Sequence, residues 1–130
     1  LAAALQTAAA AGVYQLQAAE QTRASGLAND MVSEIMYQPY QDASATLSGP
    51  GRTAFNDIDD YNGWTESPLQ NKDGSTIPNT TGWTRSVSVC FLTTSGTVSA
   101  LDTGIKEIVV TVSQGYRPLV TRVFLRPNHP

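Results

Sequence analysis

Apolar and small residues open the chain, and their spacing predicts one long helix over residues 1–37. The segment is rich in alanine, lacks proline and carries no charge before Glu20. Larger apolar side chains recur at helical spacing in its second half. They are Leu16, Leu27, Met31 and Ile35. A helix of this length would reach about 55 Å, farther than a domain of this size can cover, so we expect its first half to protrude.

Turn-forming residues dominate the next segment, residues 38–82, and its apolar residues show no regular spacing. Proline and glycine interrupt this segment repeatedly. Because Pro39 disfavours a helical Gln38, the helix should end near Tyr37. We expect a strand or turn at residues 53–58 and irregular structure elsewhere, which is a long loop for a compact domain.

Alternating side chains return after Gly82 and predict a sheet over residues 83–126. Residues 83–91 alternate with a period of two, and residues 105–113 are rich in β-branched side chains. A third strand is predicted at residues 119–126, and one face of such a meander must be covered by the helix. The predicted fold is therefore α+β, in one structural domain: a long protruding N-terminal helix packed by its C-terminal half on a small antiparallel sheet of three to four strands.

Composition narrows the classes of function. The net charge is −3 and the eight Lys and Arg residues are scattered, so the basic cluster expected of a nucleic-acid-binding protein is absent. The single cysteine, Cys90, excludes an internal disulfide and a cysteine-based metal cluster. The sole histidine, His129, lies at the terminus, and no catalytic spacing can be built around it. We therefore expect neither a nucleic acid partner nor enzymatic activity.

One acidic run places oxygen ligands in an order that suits a hard cation. Its residues are Asp57, Asp59, Asp60 and Asn62. They surround a glycine turn, and Ca²⁺ takes roughly six to eight oxygen ligands. These residues are the candidate calcium ligands, and no other cofactor is predicted. The alternative is that the aspartates cap turns and pair with Arg52 or Arg85.

Two tryptophans, Trp64 and Trp83, each follow a glycine and bracket a polar loop. They would form either an exposed aromatic platform for a sugar or partner, or a lid packed on the sheet edge. The first arrangement, together with the acidic run, would suit a secreted module that binds calcium or carbohydrate. Such a binding module is the alternative to a structural subunit.

Four segments carry a resemblance to a known family. They are ANDMVSEIMYQPY at Ala28–Tyr40, FNDIDDYNGW at Phe55–Trp64, GWTRSVSV at Gly82–Val89 and DTGIKEIVVTV at Asp102–Val112. With the order of helix, loop and sheet, they resemble the type IV pilin and type II secretion pseudopilin superfamily, and its minor pilins and minor pseudopilins in particular. The resemblance covers essentially the whole chain.

The resemblance implies a structural subunit of a type II secretion or type IV pilus-like filament, assembled with other pilins or pseudopilins through the N-terminal helix. The residues expected in this helix packing are Leu1, Leu5, Ala9, Gly12 and Val13. It also implies an apolar segment upstream of Leu1, missing from this chain, that holds the peptidase site and the helix carboxylate of the family. That segment would anchor the protein in the inner membrane, facing the periplasm, or place it in a surface filament, of a Gram-negative-type bacterium.

Overall fold

The structure is a computed structural model that describes residues 2–42 and 51–128, with side chains from residue 12 onward. Within these ranges the chain forms one α-helix, two 3-10 helices and five strands. The elements are α1 (Ala2–Met36), the 3-10 helices Arg52–Ala54 and Asp59–Tyr61, β1 (Thr65–Glu66), β2 (Trp83–Leu92), β3 (Val98–Ser99), β4 (Ile105–Gln114) and β5 (Arg117–Pro127). The helix of 35 residues is about 52 Å long.

The strands form one antiparallel sheet in the order β1-β2-β4-β5, and β3 pairs with the end of β2. The three long strands, β2, β4 and β5, lie where the alternation of side chains predicts them. A two-residue turn at Gly115 and Tyr116 joins β4 to β5, since Gln114 pairs with Arg117. Gly115 has a φ of 59°, the left-handed conformation that such tight turns require.

The predicted fold is wrong as stated, because the described residues form a sheet of five strands and not of three to four. The additional strands are β1 and β3, which have two residues each. A strand of two residues has no period to detect, and each of the two becomes a strand through its pairing with β2. Residues 43–50 of the predicted loop and the terminal His129 lie outside the described residues. The arrangement is one helix packed on a five-stranded antiparallel sheet.

The hydrophobic core lies between the helix and one face of the sheet. The helix contributes Ala24, Leu27, Ala28, Met31 and Ile35, and the sheet contributes Trp83, Val87, Ile108, Val110, Val112 and Val120. The turn-rich segment adds Ile58, Tyr61 and Leu69. Leu16, which the helical spacing placed with this stripe, is 62% exposed. The buried stripe therefore begins at Ala24, and the turn before it contacts the start of β5 only through polar side chains.

A buried group of charges ties the turn-rich segment to the helix and the sheet. Glu66 on β1 accepts hydrogen bonds from both Arg52 and Arg85, and all three side chains are at most 3% exposed. Arg85 also donates to the backbone carbonyls of Leu27 (2.9 Å) and Gln70 (2.7 Å). Burial lowers the pKa of Arg85, and the adjacent carboxylate of Glu66 opposes that shift. One carboxylate thus connects three parts of the chain.

Glu34 on the helix extends this group. Its Oε1 lies 2.9 Å from Arg52 Nε and accepts a hydrogen bond of 2.7 Å from the hydroxyl of Tyr61. Burial raises the pKa of Tyr61, and the hydrogen bond to Glu34 raises it further. The hydroxyl therefore stays protonated and remains a donor at neutral pH. The pair fixes the second 3-10 helix against α1.

Replacing Glu66 by alanine should destabilise the fold by about 3–5 kcal/mol, because two buried guanidinium groups lose their shared carboxylate. The free energy of unfolding from urea titration measures the loss. Glu107→Ala, which removes a carboxylate on the opposite, solvent-facing side of the sheet, should cost less than about 1 kcal/mol. Equal losses in the two variants would show that the buried charges do not hold the segment in place.

Candidate functional site

The part of α1 that precedes the core is exposed along its described side chains. Residues 12–19 are all exposed, and three of them carry large apolar side chains. Val13 is 54% exposed, Tyr14 is 71% exposed and Leu16 is 62% exposed. We call residues 12–19 the free helix surface. It contains Gly12 and Val13 of the predicted helix-packing residues, whereas the side chains of Leu1, Leu5 and Ala9 lie outside the described residues.

The boundary between the free helix surface and the body is set by polar contacts of the next helical turn. Glu20 forms an ion pair of 2.6 Å with Arg117 at the start of β5. Gln21 donates to the carbonyl of Leu119. Arg23 donates to the carbonyl of Asn79 at 2.7 Å, and its guanidinium lies 5.4 Å from the centre of the Trp83 ring. These contacts fix the direction in which the helix leaves the sheet.

Local sequence explains why the exposed turns stay helical. Alanine and glutamine have high helix propensity, and no proline interrupts the segment. A Cβ placed on Gly12 would meet nothing within 4 Å, so this glycine leaves an open position on the helix. A small residue at such a position permits the close approach of a second helix. The surface therefore combines a rigid backbone, a small residue and three apolar side chains.

Two of the predicted calcium ligands, Asp57 and Asp60, cap each other's turn. Asp57 is buried; its Oδ2 accepts from the backbone N–H of Asp42 (3.0 Å) and its Oδ1 from that of Asp60 (3.1 Å). Asp60 Oδ2 accepts from the N–H groups of Asn56 (2.8 Å) and Asp57 (3.3 Å). The alternative of capped turns therefore describes both residues.

The other two candidate ligands contact the sheet. Asp59 Oδ1 lies 2.9 Å from Nζ of Lys106, and Asn62 Oδ1 accepts from the backbone N–H of Val89 at 2.9 Å. Pairing of the aspartates with Arg52 or Arg85 is wrong, because both arginines bind Glu66. Among the described residues, no group of three or more His, Cys, Asp or Glu side chains is placed to hold a metal. Calcium binding stays a prediction.

Lys106 is a buried cation that the sequence analysis missed. Its side chain is fully buried, donates to the carbonyl of Tyr40 and lies 3.9 Å from the centre of the Tyr40 ring. The sequence pattern indicates this burial, because Lys106 shares its strand face with Ile108, Val110 and Val112. A lysine on an apolar strand face must find a partner, and here Asp59 provides the charge.

A shallow cavity of about 340 Å³ lies beside this ion pair, at the edge of β2. Its lining residues are Asp59, Asn62, Val89, Cys90, Phe91 and Ser99. Burial raises the pKa of the Cys90 thiol, and the nearby carboxylate of Glu107 raises it further. The thiol is therefore protonated at neutral pH and is a poor nucleophile.

The two tryptophans do not form an exposed platform. Trp83 is 4% exposed and belongs to the core. Trp64 is half-buried, donates to Glu66 at 3.2 Å and packs edge-on against Phe55, with ring centres 5.4 Å apart. Trp83 is enclosed by the core and by the guanidinium of Arg23, and the indole N–H of Trp64 binds Glu66, so a stacked sugar would find neither ring free.

Comparison of the chain with protein-family models, with curated proteins and with solved structures gives no match. Within the described parts of the chain, no helix has both the length and the apolar character needed to cross a membrane. The free helix surface is the candidate functional site, because its apolar side chains are not used by the fold.

Asp60→Ala should destabilise the protein by about 1 kcal/mol, because two backbone N–H groups lose their acceptor. Asp60→Asn is the matched control, since its side-chain carbonyl still accepts hydrogen bonds. Thermal unfolding measures both changes. A midpoint for Asp60→Ala equal to that of the wild type would contradict the capping role.

Tyr40→Phe should raise the pKa of Asp102 towards its ordinary value. The hydroxyl of Tyr40 donates to Asp102 at 2.7 Å and is the largest cause of the lowered pKa, followed by the N–H of Gly104. A carboxyl whose pKa is lowered by folding stabilises the protein above its unfolded pKa, and this contribution is lost as the pH falls through the folded pKa. NMR titration of the Asp102 carboxyl carbon measures the shift. Tyr116→Phe, at the exposed turn, should leave it unchanged.

Proposed function

We propose that this protein is a structural subunit of a type II secretion or type IV pilus-like filament, a minor pseudopilin or minor pilin that assembles through its N-terminal helix. The observation that carries this proposal is the free helix surface, where Val13, Tyr14 and Leu16 are more than half exposed. The same helix continues without a break into the core at Ala24. A contact made at the exposed turns is therefore transmitted rigidly to the folded body.

Burial of the three exposed side chains would supply the driving force for assembly. Each large apolar side chain contributes about 1.5–3 kcal/mol when it is fully buried. Gly12, Ala18 and Ala19 add little area, but they let helix axes approach closely. A contact between different patches on identical or related subunits does not close on itself and repeats into a filament. The surface has the chemistry that such an assembly needs.

The charged groups of the described residues support a structural role. Glu66 binds two arginines, and Asp59 binds the buried Lys106. Asp57 and Asp60 bind backbone N–H groups. These side chains stabilise the segment that links helix and sheet. The proposal is accordingly a non-enzymatic subunit whose partners are other pilins or pseudopilins.

The place of the subunit follows from the same proposal. An apolar segment preceding Leu1 would hold it in the inner membrane before assembly, with the sheet on the periplasmic side. In the assembled filament, the helix would lie towards the filament axis and the sheet outward. Such an arrangement would leave the solvent-facing side of the sheet available on the filament surface.

Disulfide crosslinking in cells that produce the natural full-length protein tests this function. In a Cys90→Ala background, Leu16→Cys should form a disulfide, under oxidising conditions, with a cysteine introduced into the N-terminal helix of a co-produced pilin-like subunit, because the free helix surface would be buried in the filament. Leu101→Cys is the matched control, since Leu101 is 78% exposed in the connection between β3 and β4. Mass spectrometry identifies the crosslinked protein. Absence of a pilin-like partner at Leu16→Cys, with that variant folded and abundant, would contradict the proposal.

A further inference from the structure

The outer edge of β5 is open among the described residues. β5 is the terminal strand of the sheet and pairs with β4 on one side only. An open strand edge of this length is a template for a further strand, and most proteins block it. Here the blocking features lie at the two ends. Pro118 and a bulge stand at the start of β5, and Pro127 stands at its end.

The pairing with β4 identifies which backbone groups face outward. The backbone N–H of Asn128 donates to the carbonyl of Gly104 at 2.8 Å. Gly104 and Asn128 are therefore a hydrogen-bonded pair at the end of the ladder between β4 and β5. Hydrogen-bonded and non-hydrogen-bonded pairs alternate along an antiparallel ladder. The backbone N–H and C=O groups of residues 120, 122, 124 and 126 therefore point towards β4. The N–H and C=O groups of Thr121, Val123 and Leu125 consequently point away from the sheet. Within the described ranges, no turn, loop or cap hydrogen bond of the backbone uses these three N–H groups.

The side chains along this edge divide into an apolar and a basic side. Thr121, Val123 and Leu125 point to the face opposite the helix, where Val123 is 58% and Leu125 is 54% exposed. Arg122 and Arg126 point to the helix side. An added strand would therefore meet apolar groups with one set of alternate residues and arginines with the other.

Charge selects the chemistry of the added strand. β5 contains three arginines and no acidic residue, in a chain whose net charge is −3. Arg117 pairs with Glu20, whereas Arg122 contacts the amide oxygen of Asn29 and Arg126 the carbonyl of Met36. The last two guanidinium groups thus have no carboxylate partner among the described residues. Carboxylates on an added strand would give these two guanidinium groups such a partner.

We propose that the outer edge of β5 binds an extended, acidic segment of a partner protein by strand addition. In that segment, Thr or Val side chains alternate with Asp or Glu side chains. The backbone of the partner segment forms hydrogen bonds with Thr121, Val123 and Leu125. Its Thr or Val side chains cover Val123 and Leu125, and its carboxylates pair with Arg122 and Arg126. This interface is separate from the free helix surface and does not depend on filament assembly.

A second copy of this chain fits the edge less well. Two β5 strands paired antiparallel about Val123 would place Arg122 of each copy diagonally across from its counterpart. Such neighbours are about 7–8 Å apart, and like charges at this distance repel each other. The pairing would also bring the arginines of both strands together without adding a carboxylate. Electrostatic complementarity therefore favours an acidic partner of different sequence.

Fluorescence anisotropy with labelled peptides tests the proposal. The probe has about eight residues, the length of an ordinary strand, and alternates glutamate with threonine or valine. It should bind the wild-type chain at least about tenfold more tightly than a peptide of equal composition whose glutamates form one block. A peptide with lysine in place of glutamate should bind more weakly than either.

Val123→Pro isolates the backbone contribution. Proline removes the outward N–H of residue 123 but no bond to β4, and edge strands tolerate it. Binding of the alternating peptide should weaken about tenfold or more, while Val123→Thr, which keeps the N–H, binds normally. Arg122→Gln should weaken the glutamate peptide and not the lysine peptide. Thermal unfolding verifies that each variant is folded.

Hydrogen exchange on the wild type gives a readout that needs no variant. The alternating peptide should slow exchange at the amides of Thr121, Val123 and Leu125, and leave Gly12 and Val13 unchanged. Equal binding of the alternating and block peptides, unchanged exchange at these amides, or no binding would overturn the proposal. A dimer of the chain that Val123→Pro dissociates would also overturn it, because the edge would then bind a second copy.

Discussion

The fold depends on one buried carboxylate, that of Glu66, placed between the guanidinium groups of Arg52 and Arg85. Charges removed from water are stable only when they are paired and hydrogen-bonded, so each member of the group requires the others. Through Arg85 the group reaches a carbonyl of the helix, and through Arg52 it reaches Glu34. It therefore holds the turn-rich segment in place together with the core side chains of that segment, Ile58, Tyr61 and Leu69.

With the body held in this way, the long helix has two different environments. From Ala24 to Ile35 it supplies one side of the core. At residues 12–19 it exposes the large side chains of Val13, Tyr14 and Leu16. The two halves are one rigid rod, because no break in the helix separates them. In the proposed function, this continuity would let the helix join the folded body rigidly to an assembly.

The sheet offers a second surface of a different kind. The free helix surface would contribute apolar area and close packing, whereas the edge of β5 offers directional backbone groups with arginines on one side. These two kinds of chemistry select different partners. A subunit with both could join a filament through its helix and contact another protein through its sheet, without competition between the two contacts.

Much of the architecture was predictable from the chain, because long elements repeat their pattern. The alanine-rich rod, the proline that follows it and the alternation in β2, β4 and β5 each span many residues, and local chemistry decides them. The number of strands was not predictable, since β1 and β3 are two residues long and exist only by pairing with β2. The partners of Glu66 and Lys106, the capping by Asp57 and Asp60, and the exposure of Leu16 likewise required the tertiary structure. Each depends on groups distant in sequence that a one-dimensional pattern does not bring together.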